Sequence, residues 1–398
     1  MNDLPDEPSA GLYRVAAAGV RDPRPGLAEI EPEALLRWMA EHGERAFRAR
    51  QVADAIWAHG VTDTTAMRTL PGGLRADLAR SFRADTLVET TVRTADAGLT
   101  EKALHRLDDD RLVESVLMRY PARGARRERA TACISSQAGC AVGCPFCASG
   151  ELGFQRDLET AEIVDQARFW RRRLEGEGRR LSNVVFMGMG EPLLNAARVL
   201  AAAEALADPR RFGLGARHIT ISTSGVLPGL ERLVERAPQY TLAVSVHAAR
   251  PALRDVLVPL NRRYPVEQVV ALAEAYARTT GRRVSYEVVL IDGINDTPRD
   301  AQALAALVRG QLAHVNLIPM NPVAHTAWRP SAPARLEAFA EVLRGAGITT
   351  TVRQNRGVEI GAACGQLAAE HAGSPSSAAV RRRHELLARR SAAALRGG

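Results

Sequence analysis

Two different periodicities of apolar residues divide the first third of the chain. Across residues 32–83, apolar side chains such as Leu35 and Met39 recur at every third or fourth position, which is typical of amphipathic helices. Residues 102–107 and 112–118 instead alternate apolar and polar side chains on either side of three aspartates, and this pattern predicts a β-hairpin. We therefore expect a small helical unit followed by a pair of antiparallel strands.

Beyond residue 131, short β-rich runs alternate with helical patterns. The predicted strands cover residues 132–135, 183–187, 218–222, 241–247, 284–290, 314–318 and 348–352. The predicted helices cover residues 160–174, 196–206, 227–236, 266–279, 299–310 and 333–345. Six β/α units in succession indicate an α/β fold with a parallel sheet, which right-handed crossovers curl into a full or partial barrel. Functional residues should then follow the carboxyl ends of the strands.

These patterns predict five parts of the chain. They are a loose leader (1–28), a helical accessory domain (29–85), a β-hairpin linker region (86–130), the barrel with a C-terminal loop (131–370) and a basic tail (371–398).

The chain carries a modest positive charge that is concentrated in the tail. Its 398 residues include 53 Lys and Arg against 45 Asp and Glu, a net charge of +8. A basic surplus favours a nucleic acid as partner, although a short basic tail alone is weak support. No apolar run approaches the roughly 20 residues that a bilayer span needs. Because the acidic start also has no apolar stretch typical of a signal peptide, we expect a cytoplasmic protein without a membrane partner.

Five cysteines are distributed very unevenly. Cys133, Cys140, Cys144 and Cys147 lie close together, whereas Cys364 comes near the end of the predicted barrel. An odd number excludes a framework in which every cysteine is paired. Clustered cysteines in a cytosolic chain favour metal or redox chemistry.

The spacing Cys140-x3-Cys144-x2-Cys147 follows the first strand of the predicted barrel. Three closely spaced thiolates can bind three irons of a 4Fe–4S cluster and leave the fourth iron open to a small molecule. Structural zinc is the alternative, but it requires four ligands, and no further Cys or His lies at a suitable spacing. The pattern therefore favours one iron–sulfur cluster.

Polar residues follow the ends of four more predicted strands, where a barrel binds its ligands. Gly190 and Glu191 come after the second strand, where a glycine lets the backbone approach a ligand and a carboxylate can meet an ammonium group. The other candidates are Ser222 after the third strand, Ser245, Val246 and His247 at the end of the fourth, and Asn321 after the sixth. Each alone is typical of a loop cap, but together they indicate a cofactor site.

Three further residues stay ambiguous on pattern alone. Cys364 is flanked by Gly and Ala, and such a flexible loop suits a thiol that must move as well as a structural one. Cys133 lies on the first barrel strand and is equally consistent with the core. Glu114, on the second hairpin strand, is by itself typical of an exposed strand charge.

The cysteine spacing, with Phe146 before Cys147, resembles that of the radical S-adenosylmethionine (SAM) enzymes, and Gly190-Glu191-Pro192 resembles their motif for the SAM amino group. The string from Cys133 to Cys140, together with Gly-Ala-Ala-Cys-Gly-Gln-Leu around Cys364, makes the chain similar to the RlmN family. The resemblance covers about residues 30–370 and implies a partial (β/α)6 radical-SAM barrel with a small N-terminal helical domain and a β-hairpin extension.

The resemblance also implies an activity. Members of this family are radical-SAM methyltransferases that methylate C2 of adenine 2503 in 23S rRNA and, in some members, C2 of adenine 37 in tRNA. They use one 4Fe–4S cluster, two SAM molecules per turnover and an external electron donor of the flavodoxin or ferredoxin type. The residue matching Cys364 carries the methyl group, the one matching Cys133 forms a transient disulfide bond with it, and the one matching Glu114 is the general base.

The same resemblance implies that Cys140, Cys144 and Cys147 bind the cluster and that the helical domain contacts RNA. We expect a monomer. Three other readings remain: a Cfr-like paralogue that methylates adenine C8, an activase that makes a glycyl radical in a partner enzyme, and a zinc-stabilised RNA-binding module without enzymatic activity. The motifs do not separate C2 from C8, whereas the activase reading leaves Cys133, Glu114 and Cys364 unexplained.

Overall fold

The computed structural model describes residues 20–122, 124 and 127–367. The basic tail over 371–398 and most of the leader over 1–28 lie outside these residues. The described end of the leader is not loose, because Leu27 and Ala28 are buried and the Leu27 N–H donates to the Arg83 carbonyl at 2.8 Å. The prediction of a loose leader is therefore wrong for its last residues, which pack against the helical domain.

Three helices form the N-terminal unit, as the apolar period predicts. They are α1 (Pro32–Glu41), α2 (Phe47–Trp57) and α3 (Gly72–Ser81). Proline at the first position of α1 suits a helix start, where its missing N–H has no intrahelical partner. Each helix buries an apolar stripe, which includes Leu35 and Met39 from α1, Val52 and Ile56 from α2, and Leu74 and Leu78 from α3.

A ten-stranded sheet forms the centre of the molecule, and its first strands are antiparallel. Strands β1 (Glu89–Ala95), β2 (Thr100–Arg106), β3 (Leu112–Tyr120) and β4 (Arg129–Cys133) pair in this order, each antiparallel to the next. The predicted hairpin is thus β2 and β3, but it is not a separate linker between domains. Together with β1, which the sequence analysis missed, it continues the barrel sheet beyond the strand that ends at Cys133.

From β4 onward, all neighbouring strands of this sheet are parallel. β5 (Gln137–Gly139) and β6 (Phe154–Asp157) form a small separate sheet. The main sheet continues from β4 through β7 (Asn183–Phe186), β8 (Ile219–Thr223), β9 (Thr241–Ser245), β10 (Val284–Leu290), β11 (Ala313–Pro319) and β12 (Thr349–Val352). The parallel order confirms the predicted β/α architecture and brings the carboxyl ends of these strands to one edge.

The helices that connect the parallel strands match the predictions closely. They are α4 (Ala148–Leu152), α5 (Thr160–Glu175), α6 (Ala196–Ala207), α7 (Leu227–Arg236), α8 (Pro251–Leu257), α9 (Val266–Thr280), α10 (Pro298–Leu307) and α11 (Pro333–Gly345). The two short helices α4 and α8 were not predicted. In the part of the chain that the structure describes, no helix combines the length and apolar character needed to cross a bilayer.

Candidate active site

A cavity lies at the carboxyl ends of the parallel strands. It gathers residues from eight separate segments, which is what the barrel topology predicts. Among the predicted site residues, its walls include Cys140, Cys144, Cys147, Gly190, Glu191, Ser222, Ser245, His247, Asn321 and Cys364. Val246 is not on this wall: its carbonyl accepts a hydrogen bond from Arg254 at 3.0 Å instead.

A second cavity adjoins the first. Its floor is apolar and is formed by β3, β4 and β7, while its rim comes from the segment after β12. Cys133 lines this second cavity only, whereas Cys364 and Arg353 line both. Cys364 therefore stands on the wall that the two cavities share.

The three clustered cysteines are enclosed by protein, and burial raises the pKa of Cys140 to about 12 and raises the pKa of Cys144 and Cys147 as well. They would bind as thiolates only together with a cation that repays this desolvation. Within residues 20–122, 124 and 127–367, no three His, Cys, Asp or Glu side chains converge as ligands of a single ion. In a 4Fe–4S cluster each thiolate binds a different iron, so three thiols on one cavity wall fit this group.

The buried carboxylate of Glu191 lies between the turn after β7 and the turn after β8. One oxygen accepts the Leu193 N–H at 3.0 Å and the other accepts the Ser224 N–H at 2.7 Å, and burial raises the pKa of the group. Gly190 has φ +97°, and a side chain there would approach Gln137 to 2.5 Å. Glycine is therefore required for the close approach that brings Glu191 to the cavity, where the carboxylate can accept hydrogen bonds from an ammonium group.

The side-chain oxygen of Asn321 can accept a hydrogen bond from a ligand in the first cavity. Its Nδ2 donates to the Cys364 carbonyl at 2.9 Å, while its Oδ1 is buried and has no hydrogen-bond partner among the described residues. An unpartnered buried acceptor is costly. In a wall of the first cavity, this oxygen suits a polar ligand such as SAM.

His247 occupies a strained position on the same wall. Its φ is +57°, which is uncommon for a residue other than glycine and is often found at functional sites. The Val289 N–H donates to its Nδ1 at 3.1 Å, so the proton of the neutral ring lies on Nε2. Burial lowers the pKa of His247 to about 3, and the imidazole is therefore neutral at physiological pH.

A buried arginine that the sequence pattern did not reveal joins the loops around the cavity. Arg254, on α8, donates to the carbonyls of Ser224, Ser245 and Val246. One guanidinium thus binds three carbonyls from two separate segments, which stabilises the ends of β8 and β9. This role could not be predicted from the sequence, because the partners of Arg254 are backbone atoms from other segments of the chain.

Glu114 is buried, so the reading of an isolated exposed strand charge is wrong. Its Oε1 accepts Lys102 Nζ at 2.9 Å, and the two side chains are 2% and 5% exposed. Glu114 shares a strand face with Val116 and Met118, which line the second cavity. Lys102 also lies beneath the loop of Cys364, where its Nζ is 3.4 Å from the position of a side chain at Gly361. The pair thus connects β3 to that loop.

The loop of Cys364 is held on its C-terminal side by two hydrogen bonds to its backbone carbonyls. Ala148 N–H donates to the Gly365 carbonyl at 2.7 Å, and Ser149 Oγ donates to the Leu367 carbonyl at 2.6 Å. The thiol reaches solvent through the cavity, but surrounding protein raises its pKa, an effect that nearby Arg353 opposes. Burial also raises the pKa of Cys133 to about 12. Both are free thiols, and the described cysteines form no disulfide bond, so a permanent disulfide is not supported.

Two more polar residues of the first cavity were not predicted. Glu287, in the middle of β10, accepts Asn316 Nδ2 at 2.7 Å and Ser285 Oγ at 2.6 Å. A glutamate inside an apolar parallel strand is a signal that the sequence analysis could have used. Arg353 directly follows β12, at the carboxyl edge of the sheet. Its position after a predicted strand could therefore also have marked it as a candidate site residue.

Comparison with known proteins gives a consistent result. Residues 26–84 match the model of the ribosomal RNA large subunit methyltransferase N-terminal domain, and residues 134–305 match that of the radical SAM superfamily. A "Probable dual-specificity RNA methyltransferase RlmN" of Parafrankia sp. is 48% identical over 91% of this chain and 96% of its own length. A relative of the same name from Thermobifida fusca is also 48% identical, over 91% of this chain and 100% of its own.

A solved structure agrees with these relatives. The crystal structure of a radical SAM methyltransferase from Sphaerobacter thermophilus superimposes with a TM-score of 0.83 at 43% identity. The superposition covers 87% of this chain and 99% of the Sphaerobacter thermophilus chain. The α/β radical-SAM fold with a helical N-terminal domain is therefore confirmed.

Proposed function

Since the chain belongs to the RlmN family of radical-SAM RNA methyltransferases, we propose that it methylates C2 of adenine 2503 in 23S rRNA and C2 of adenine 37 in tRNA through a methylated cysteine. The observation that carries this proposal is the position of Cys364 between two cavities. One cavity has the cysteine triad and the polar residues suited to SAM, and the other has Cys133 and an apolar floor. A thiol in this position can receive a group on one side and deliver it on the other.

In this proposal Cys140, Cys144 and Cys147 hold one 4Fe–4S cluster, while Gly190, Glu191, Ser222, Ser245, His247 and Asn321 surround SAM. Val246 takes part only through the backbone bond to Arg254 that stabilises this loop. When bound and reduced by an external electron donor, the cluster supplies reductive cleavage of SAM and hence a radical that can abstract hydrogen from a methyl group.

Cys364 is the proposed methyl carrier because adenine C2 is an electron-poor carbon that cannot displace a methyl group from a sulfonium. A thiolate can do so. One SAM would methylate Cys364 and leave as S-adenosylhomocysteine. The radical from a second SAM would take one hydrogen atom from that methyl group, and the remaining carbon radical would bond to C2. The adduct would then lose the C2 proton and one electron, which the oxidised cluster would accept. Arg353 supplies the positive charge that favours the thiolate form of Cys364 against the effect of burial.

Glu114 is the proposed general base for the C2 proton, and Cys133 releases the product. Lys102 Nζ lies 2.9 Å from Glu114 Oε1 and would orient the carboxylate that acts as the base. The Cys133 thiolate would then attack the Cys364 sulfur. The bond from that sulfur to the transferred carbon breaks as a transient Cys133–Cys364 disulfide forms, and the carbon keeps the bonding electron pair and takes up a proton to become the new methyl group. An external reductant restores the thiols.

Nucleoside mass spectrometry tests the product directly. The protein would be expressed in a host that lacks its own enzyme, and 23S rRNA and tRNA would be digested separately. We expect 2-methyladenosine in both fractions, and none in a matched host that expresses Cys364→Ala. Detection of 8-methyladenosine instead would move the chain to the Cfr-like reading, and absence of both products would refute the proposed reaction.

The cluster assignment predicts the result of replacing Cys144 with serine. We expect anaerobically reconstituted Cys144→Ser to lose most of its bound iron and sulfide, because a neutral serine hydroxyl is a poor iron ligand compared with thiolate. Iron and sulfide analysis with visible absorption measures this loss. Cys364→Ser is the matched control, since it lines the same cavity and should retain the cluster. Equal iron content in the two variants would contradict the assignment.

The buried ion pair predicts a non-additive effect on stability. Lys102→Met should lower the free energy of unfolding by about 3–5 kcal/mol, because the Glu114 carboxylate loses its buried partner. The double variant Lys102→Met/Glu114→Leu should recover most of that stability while staying inactive. Urea unfolding, together with methylation assays, separates the two effects. A double variant that is no more stable than Lys102→Met would show that the pair is not energetically coupled.

A further inference from the structure

Two guanidinium groups lie over the ring of Tyr120, which lines the second cavity. Arg129 Cζ is 4.2 Å from the ring centroid and Arg356 Cζ is 4.5 Å from it. Tyr120 and Arg129 are direct partners in the β3–β4 ladder, whereas Arg356 comes from the segment that leads to Cys364. Arg356 is also oriented by a hydrogen bond from Nη1 to the Arg119 carbonyl at 2.8 Å.

The charges of this group are not neutralised by the residues around it. Within the described part of the chain, no ion pair joins Arg129 or Arg356 to a carboxylate, whereas neighbouring Arg119 is paired with Glu101 and Glu177. The described lining of the second cavity includes Arg353 and Arg356 but no Asp or Glu. The rim is therefore cationic, and its guanidiniums are available to an external anion.

The cavity behind the rim has the opposite character. Val116, Met118, Val185 and Met187 line its apolar floor, and both Cys133 and Cys364 open onto it. This combination suits a flat apolar group that carries an anion just outside it. An unpaired nucleotide has that shape, because its base can enter an apolar pocket while its phosphodiester stays at the surface.

We propose that Tyr120, Arg129 and Arg356 form an arginine clamp that binds the RNA phosphodiester next to the base that enters the second cavity. This inference rests on the proposed function and adds the contact that holds the substrate strand. Guanidiniums stacked on a ring lose little freedom on binding, and their planar donors match two phosphate oxygens at once. Contacts of this kind position the strand and do not read its sequence.

Arg129→Gln is the most direct test, because Arg129 is exposed and its replacement should not disturb folding. The probe is a labelled RNA stem-loop with an unpaired adenine, and binding is measured by fluorescence anisotropy across a range of salt concentrations. We expect the Kd to rise about tenfold and the salt slope of log K against log[salt] to fall by about 0.7–1. Methylation of Cys364 by SAM without RNA should stay unchanged.

Arg232→Gln is the matched control, because the substitution removes the same charge. Arg232 is exposed on α7, outside the barrel. Arg356→Lys is the second variant: it keeps the charge but loses the planar stack, so the Kd should rise while the salt slope stays near that of the wild type. With the adenine held in a base pair, the difference between Arg129→Gln and the wild type should largely disappear.

The outcomes separate the clamp from the function on which it rests. If the wild type methylates RNA and Arg129→Gln binds RNA as tightly as Arg232→Gln, the clamp is overturned and the proposed function stands. If Arg129→Gln weakens binding selectively but the wild type yields no methylated adenine, the clamp stands and the proposed reaction fails. If the wild type binds no RNA, both are refuted.

Discussion

Replacing Cys364 with alanine should lower RNA methylation by roughly 10⁴-fold or more, as expected when a covalent nucleophile is removed. Cys364 is the cysteine that lines both cavities, so no other described thiol can receive a group from the first cavity and present it to the second. Iron content and SAM binding should stay near the wild-type values, because the cluster cysteines and Glu191 belong to other segments. Product formation would be measured by nucleoside mass spectrometry.

The control for this variant is the release of 5′-deoxyadenosine from SAM under reducing conditions. That activity depends on the first cavity and should remain detectable in Cys364→Ala. Intact-protein mass spectrometry should show a methylated wild-type protein and an unmethylated variant. A Cys364→Ala enzyme that still makes 2-methyladenosine would rule out the methyl-cysteine intermediate, whereas loss of iron together with activity would indicate a structural role for this residue.

Replacing Cys133 with alanine should trap the protein covalently on its RNA. Without the Cys133 sulfur, the bond between Cys364 and the transferred carbon has no described thiol on the second cavity wall to break it. The adduct should accumulate to about one RNA per active enzyme, and turnover should stop after that single event. Denaturing gel electrophoresis with labelled RNA would reveal a band that nuclease treatment shifts back towards free protein.

The double variant Cys133→Ala/Cys364→Ala provides the matched control, since it cannot form the link and should show no adduct. The result would also separate the two roles that remain open for Cys133, a buried core residue and a participant in product release. A Cys133→Ala variant that gives free methylated product at the wild-type rate would leave only the core role.

The β/α alternation, the hairpin and the N-terminal helices could be predicted because each depends on a local period of apolar residues. The elements that were missed lack such a period. β1 reads Glu-Thr-Thr-Val-Arg-Thr-Ala, and it forms a strand because β2 provides a partner along its whole length. β5 has only three residues, and α8 is a short helix directly after the loop that follows β9. Neither element is long enough to show periodicity.

The sequence by itself determined which residue types the candidate site contains, because the spacing of Cys140, Cys144 and Cys147 and the Gly190-Glu191 turn are local properties of the chain. Only the tertiary structure decided which distant residues meet. The segment after β12 brings Cys364 to the cavity that Cys133 lines at the end of β4, and the antiparallel extension buries Glu114 against Lys102. The arginine clamp joins β3, β4 and the segment after β12. These contacts depend on long-range pairing and burial, which no period or spacing along the chain records.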